Sequence, residues 1–133
     1  MNTKDDRPHA QLGYDVMAAA FEVYNHLGEG LSEEIYQEAF ELELADRGIP
    51  FEAQPALPVY YKGRKMKKFL RPDLVVANDL VIELKAVKTL ADEHQTQIIN
   101  YLKVTRLTVG YLINFAAPAR LQWKRFVHTQ ATS

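Results

Sequence analysis

Three charged side chains interrupt a stretch that should otherwise be apolar. In the run Arg71-Pro-Asp-Leu-Val-Val-Ala-Asn-Asp-Leu-Val-Ile-Glu-Leu-Lys85, two apolar segments meet at a polar Asn78-Asp79 turn, the pattern of a β-hairpin. Asp73 lies on the first strand, and Glu83 and Lys85 project from one side of the second. Leu80, Val81, Ile82, Leu84, Ala86 and Val87 around them predict a strand buried on both faces. A buried carboxylate or ammonium is costly unless it is paired, metal-bound or catalytic. Two carboxylates and a lysine converging there could hold a hard cation beside a positive group, the equipment for hydrolysing a phosphate ester. The plainer alternative is a buried Asp–Lys or Glu–Lys ion pair, which would leave the second carboxylate without a partner.

Convergence sets a geometric condition. With Asn78-Asp79 as a two-residue turn, Leu74 would pair with Glu83, and Asp73 would face the far side of the sheet. A loop of three or five residues, or a bulge, sets Asp73 across from Glu83.

Helical neighbours supply further candidates. Gln97 and Tyr101 are four residues apart and share a helix face with His94. A glutamine facing a carboxylate site can hold a water; Tyr101 reads equally as core or as a substrate contact. His94 could bind phosphate or relay a proton, against its plainer reading as a surface residue. Glu33 and Glu34 open another helix, where an acid interacts well with the helix dipole. Tyr36, on the face of Glu33, could bond a phosphate or simply pack. Arg71, two before Asp73, would contact phosphate or neutralise the acids if the strand is regular. Lys62, Arg64, Lys65, Lys67, Lys68 and Arg71 form a basic run without an acid, either a nucleic-acid patch or a solvated hairpin tip.

The elements that must position these groups follow from periodicity. Leu12, Val16, Ala20, Val23 and Leu27 predict a helix over 9–27, ended by Gly28-Glu29-Gly30. Ser32 offers an N-cap to a second helix, with Ile35, Ala39 and Leu42 as its apolar stripe and Gly48 as its stop. Pro50, Pro55 and Pro58 exclude helix next, and Val59-Tyr60-Tyr61 reads as a strand. Strands follow at 67–77 and 80–88, a helix at 92–105, a buried central strand at 107–115 and an edge strand at 121–128. This order, α-α-β-β-β-α-β-β, implies an α/β fold with a mixed sheet and helices on its faces. Residues 1–8 lack periodicity and read as frayed, leaving one domain over 9–130.

Composition narrows the setting. The 133 residues contain no cysteine, which excludes disulfides and thiolate metal sites. With no signal peptide in view and no apolar run of about 20 residues, this points to the cytoplasm and away from a membrane. A net charge of −1 means that any polyanion must be attracted by a local patch, so nucleic acid would bind weakly to the isolated domain. A homodimer or a partner protein would extend that surface. No zinc-like cluster, nucleophilic triad or Gly-rich phosphate loop appears.

Pro72-Asp73 followed by Glu83-Leu84-Lys85 resembles the motif of the PD-(D/E)xK nucleases. Gly30-Leu-Ser-Glu33-Glu-Ile-Tyr36 is similar to the Gly-x-x-Glu-x-x-Tyr signature of one group within it, the GxxExxY proteins. His94-Gln-Thr-Gln97-Ile-Ile-Asn-Tyr101 resembles the Gln-x-x-x-Tyr helix that often follows the hairpin. The resemblance runs from about Leu12 to His128. It implies a restriction-endonuclease-like fold and a nuclease using Mg²⁺ or Mn²⁺ on DNA or RNA. Asp73, Glu83 and the Leu84 carbonyl would be metal ligands, with Glu33 a third carboxylate acting directly or through water. Lys85 would assist the attacking water and Gln97 would complete the catalytic set. Arg71, Tyr36, His94, Tyr101, Lys67 and Lys68 are the candidate substrate contacts. Two other readings stay open, a non-catalytic nucleic-acid-binding or assembly module, and hydrolysis of another phosphate ester.

Overall fold

Two helices open the chain and together cover one face of a sheet. In the computed structural model, which describes residues 7–129, α1 spans Ala10–Leu27 and α2 spans Glu33–Asp46. The expectation for residues 1–8 falls mostly on residues 1–6, outside the described range. Strands β1 (Phe51–Ala53), β2 (Leu57–Tyr61), β3 (Arg64–Leu70), β4 (Leu74–Val76) and β5 (Leu80–Lys85) follow. Helix α3 (Asp92–Val104) then leads to β6 (Val109–Asn114) and β7 (Gln122–Val127).

The main sheet has the order β1-β4-β5-β6-β7. All its pairs are antiparallel except β5 and β6, which run parallel and are joined through α3. Alternation divides the sheet into two faces. Leu74, Val76, Leu80, Ile82, Leu84, Val109, Tyr111 and Ile113 pack with α1 and α2, whereas Val81, Leu112 and Phe126 pack with Ile98 and Leu102 of α3. This is the mixed, helix-flanked arrangement of a restriction-endonuclease-like fold. Helix α3 comes close to β6 because Gly110 has no side chain; a Cβ there would lie 2.9 Å from Ile98 Cδ1.

Several boundaries differ from the sequence reading, each for a local reason. The expected strand over 67–77 is two strands in two sheets: Pro72 cannot donate to a ladder, and β3 pairs with β2 in a separate ribbon while β4 joins the main sheet. The short β1, hidden among prolines, pairs with β4 through Phe51 and Val76. On α2 the expected stripe is displaced. Ile35 and Leu42 are exposed, and Tyr36, Phe40 and Leu44 are buried. Aromatic packing decides this: the Tyr36 ring stacks on Phe115 at 4.6 Å, and Phe40 meets the same ring edge-on at 6.4 Å. Ser32 occupies the N-cap position, but its side chain makes no capping hydrogen bond.

Candidate active site

The hairpin loop decides whether the carboxylates meet. Val76 pairs with Leu80, leaving Ala77, Asn78 and Asp79 as a three-residue loop. Ala77 (φ 51°) and Asn78 (φ 60°) are both left-handed, and the Asp79 N–H closes the turn on the Val76 carbonyl at 3.0 Å. The odd count fulfils the parity condition. With Leu74 opposite Ile82, the next position outward sets Asp73 across from Glu83. Both lie on the α3 face, in register with Val75 and Val81.

Each carboxylate is fixed by the other's strand. The Asp73 N–H donates to Glu83 Oε1 at 3.0 Å, and the Leu84 N–H donates to Asp73 Oδ2 at 2.7 Å. Asp73 Oδ1 and Glu83 Oε2 have no hydrogen-bond partner among the described residues. The Asp73 carbonyl is held from two sides, by Gln37 Nε2 of α2 at 3.0 Å and by the Gln54 N–H at 2.9 Å. Gln37 escaped the sequence reading; its one signal is a position one helical turn after Glu33.

Lys85 lies two residues beyond Glu83 and is half-buried. It makes no ion pair within 4 Å; the ion pairs among the described residues are His9–Asp79 and Arg47–Glu43. The buried ion pair considered above therefore does not form, although the Lys85 charge favours ionisation of both acids. Asn114 anchors the chain just past Lys85. It is fully buried and bonds both the N–H and the carbonyl of Val87, at 3.0 and 2.7 Å. This side chain also went unnoticed in the sequence, since an asparagine after an apolar run reads as a turn.

Electrostatics of the bare site are strained. Burial, reinforced by the charges of Asp73 and Glu33, pushes the Glu83 carboxyl up to about 8. Burial also raises Asp73, against the Leu84 hydrogen bond and the Lys85 charge, with Glu33 adding to the rise. Two buried carboxylates so placed resist ionising together. Glu33 is exposed at the start of α2 and reaches the pair through its charge. Among the described residues no three acidic, histidine or cysteine side chains assemble into a metal-holding group. Glu33 thus stands near enough for its charge to act on both acids, without forming a three-acid cluster with them.

Helix α3 supplies the roof. Burial raises the Tyr101 hydroxyl pKa, and the nearby Glu83 and Asp73 charges raise it further. Gln97 Nε2 donates to that hydroxyl at 3.2 Å. His94 caps α3: its Nδ1 accepts the Ala91 N–H at 3.1 Å.

Two further expectations are corrected. Tyr36 is fully buried, its hydroxyl donating to the Gly28 carbonyl at 2.5 Å and accepting the Leu31 N–H at 3.2 Å. It staples the loop before α2 and does not face substrate. Gly30, at φ 106°, supplies the turn that this loop needs and a side chain would resist. Arg71 does not neutralise the acids, because Pro72 breaks the strand. Its guanidinium bonds the Gln54 carbonyl at 3.0 Å and stacks on Phe69 at 4.9 Å. Lys67 and Lys68 are exposed on the separate ribbon.

The donor set fits a small hard cation. Its free atoms are oxygens, and two carboxylates stand together on adjacent strands. Mg²⁺ commonly takes one or two carboxylates and keeps several waters. Positive charge there would also relieve the mutual resistance of Asp73 and Glu83 to ionising.

Fold and site thus define a mixed α/β domain with a paired-carboxylate hairpin under a glutamine- and tyrosine-bearing helix. Residues 10–126 match the family model of the PD-(D/E)XK nuclease superfamily, and the chain belongs to that superfamily. Curated protein sequences include no match. Among solved structures, the crystal structure of SSO0001 is similar over 92% of this chain and 61% of that one, with a TM-score of 0.57 at 17% identity. The chain therefore spans less than two thirds of that protein's length. A fainter likeness, with a TM-score of 0.42 at 11% identity, covers 94% of this chain and 73% of an alkaline exonuclease (LHK-Exo) from Laribacter hongkongensis.

Proposed function

We propose that the protein is a nuclease that hydrolyses nucleic-acid phosphodiester bonds with a divalent cation, Mg²⁺ or Mn²⁺. The observation that carries this reading is the reciprocal tie between Asp73 and Glu83 on one face of the sheet, which leaves one oxygen on each acid without a hydrogen bond among the described residues. Asp73 Oδ1, Glu83 Oε2 and the Leu84 carbonyl would hold the ion, with Glu33 acting through water. When bound, such an ion neutralises phosphate charge and makes a water more acidic. Lys85 presents its ammonium to the attacking water or to the phosphoryl oxygens as negative charge builds. Gln97, braced by Tyr101, orients the water from the α3 side.

Within the superfamily we place the chain with the Gly-x-x-Glu-x-x-Tyr group. The Tyr36 staple and the Gly30 turn support this, since together they set where Glu33 begins its helix. A single domain over 9–130, acting in the cytoplasm, fits a chain without cysteine. No helix among the described residues is long and apolar enough to cross a membrane.

The test is cleavage of labelled DNA and RNA, single- and double-stranded, with Mg²⁺, Mn²⁺ or EDTA, beside Lys85→Ala. Cutting that needs the ion and is lost in the variant supports the reading. Ion binding without cutting would move the assignment to the non-catalytic module. Cutting that persists in EDTA would refute it.

A further inference from the structure

We infer that the β2–β3 ribbon is a grip for the phosphate backbones of duplex nucleic acid, lying in the groove between the two strands. The inference rests on the nuclease reading above and adds the form of the substrate. Between Lys62 and Arg71 lie six of the chain's sixteen lysines and arginines and no acid. The other ten face seventeen acids elsewhere, so a chain of net charge −1 is electrically divided. Overall neutrality hides a polyanion-seeking end.

The ribbon is built to present these bases. Strand β2 is the anchored side: Leu57 packs with the α3 cluster, and Arg106 stacks over the Tyr60 ring at 4.1 Å. Strand β3 faces outward, with every residue from Arg64 to Phe69 exposed. Pairing slips between Pro58–Phe69 and Tyr60–Lys65, so Met66, Lys67 and Lys68 all stand against Val59. Such a bulge re-aims side chains and deepens the twist. Arg64 and Lys65 are neighbours in regular pairing, opposite Tyr61 and Tyr60, which places bases on both faces of the ribbon.

Charge on both faces separates duplex from single strand. A single strand offers one line of phosphates and would engage one face. The major groove is about 12 Å wide, admits a two-stranded ribbon and flanks it with phosphates on either side. Lysines that only protect an exposed edge from pairing would not need this arrangement. The ribbon leads through Pro72 directly into Asp73, so nucleic acid held by it would extend toward the carboxylates. At about 3.3 Å per residue, Arg64 stands roughly 20–30 Å along the chain from Asp73. The grip, from Lys68 to Arg64, would therefore fall roughly five to nine base pairs from the scissile bond, at about 3.4 Å per pair.

The experiment measures binding of the whole chain to labelled 20-base-pair DNA and to its single strand, in EDTA, across a salt series. It compares wild type with the Arg64→Gln/Lys65→Gln/Lys67→Gln/Lys68→Gln variant. Duplex should bind more tightly than single strand. Each lost phosphate contact lowers the salt slope by about 0.9, so the variant's slope should fall by roughly three to four and its affinity at 0.1 M salt by about 10³-fold. Should the fourfold variant unfold, single Lys→Gln variants should each lower the slope by about one. Equal slopes, preference for the single strand, or no nucleic-acid binding by wild type would overturn the inference. The outcomes keep the two readings apart. Duplex cutting that survives in the fourfold variant with unchanged binding removes the grip and leaves the nuclease. Ribbon-dependent duplex binding without cutting leaves the grip and removes the nuclease.

Discussion

Replacing Glu83 with glutamine should make the metal-free protein more stable at neutral pH. The Glu83 carboxyl ionises near pH 8 in the fold against 4.5 for the free group. Between those values the folded state holds a proton that the unfolded chain has released, so stability falls as pH rises. Each pH unit inside the window costs about 1.4 kcal/mol. The penalty at pH 7 is on the order of 3 kcal/mol, and raising pH from 6 to 8 removes about 2 kcal/mol. For a chain of this size that is a fall of roughly 8 °C in Tm. Glu83→Gln carries no charge and keeps an oxygen to accept the Asp73 N–H, so its Tm should be higher at pH 7 and flatter with pH. The assay is thermal unfolding in EDTA from pH 5.5 to 8.5, repeated with millimolar Mg²⁺. The ion should lift wild type increasingly as pH rises and leave the variant unmoved. Wild-type stability that is flat or climbs with pH in EDTA, or a variant with the same slope, would refute the electrostatic argument.

Other perturbations separate site from scaffold. Lys85→Ala should fold normally, keep its response to Mg²⁺ in thermal shift and lose about 10²-fold or more in cleavage rate, measured in single turnover. Tyr36→Phe should cost about 1–3 kcal/mol in urea unfolding, because the Gly28 carbonyl and Leu31 N–H lose their partner, while the Mg²⁺ shift persists. Deleting Val75 while the three-residue loop keeps Val76 opposite Leu80 sets Asp73 across from Ile82, on the opposite face of the sheet from Glu83. Isothermal titration should then show ion binding abolished, even where circular dichroism reports an intact fold. Gln97→Ala should slow cleavage with little change in ion affinity, as titration beside steady-state rates would reveal.

What could be read in the sequence was what alternation and loop parity control. Glu83 and Lys85 share a face because strands alternate, and Asp73 joins Glu83 because the loop is odd. Both follow from counting residues between apolar runs. The outcome for Tyr36 could not be counted. Its spacing from Glu33 placed it on the same helix face, but the Phe115 ring that claims it lies 79 residues further along the chain. Arg71 departs from the acids for a nearer cause: Pro72 ends the strand between it and Asp73, so the face it takes does not follow from alternation. Gln37 and Asn114 were illegible because most of their partners are backbone groups, which every residue carries and no motif records. His94 shows the same blindness: a ring that caps its own helix has the sequence appearance of one free to act.

The missing methyl group at Gly110 has a reach beyond its own strand. Ile98, the side chain it admits, is the immediate neighbour of Gln97 and lies three residues before Tyr101. The depth to which α3 settles on the sheet therefore governs how near a glutamine amide and a phenol stand to Glu83, and how much water remains between them. Where the helix gives way rather than the Ile98 side chain alone, a single carbon added at position 110 would raise that roof by a few tenths of an ångström without touching any charged group. The carboxylate environment would become wetter and its ionisation easier. Polarity of the site is in this sense governed by a volume on a neighbouring strand, where substitutions could tune the chemistry while every chemical group stays the same.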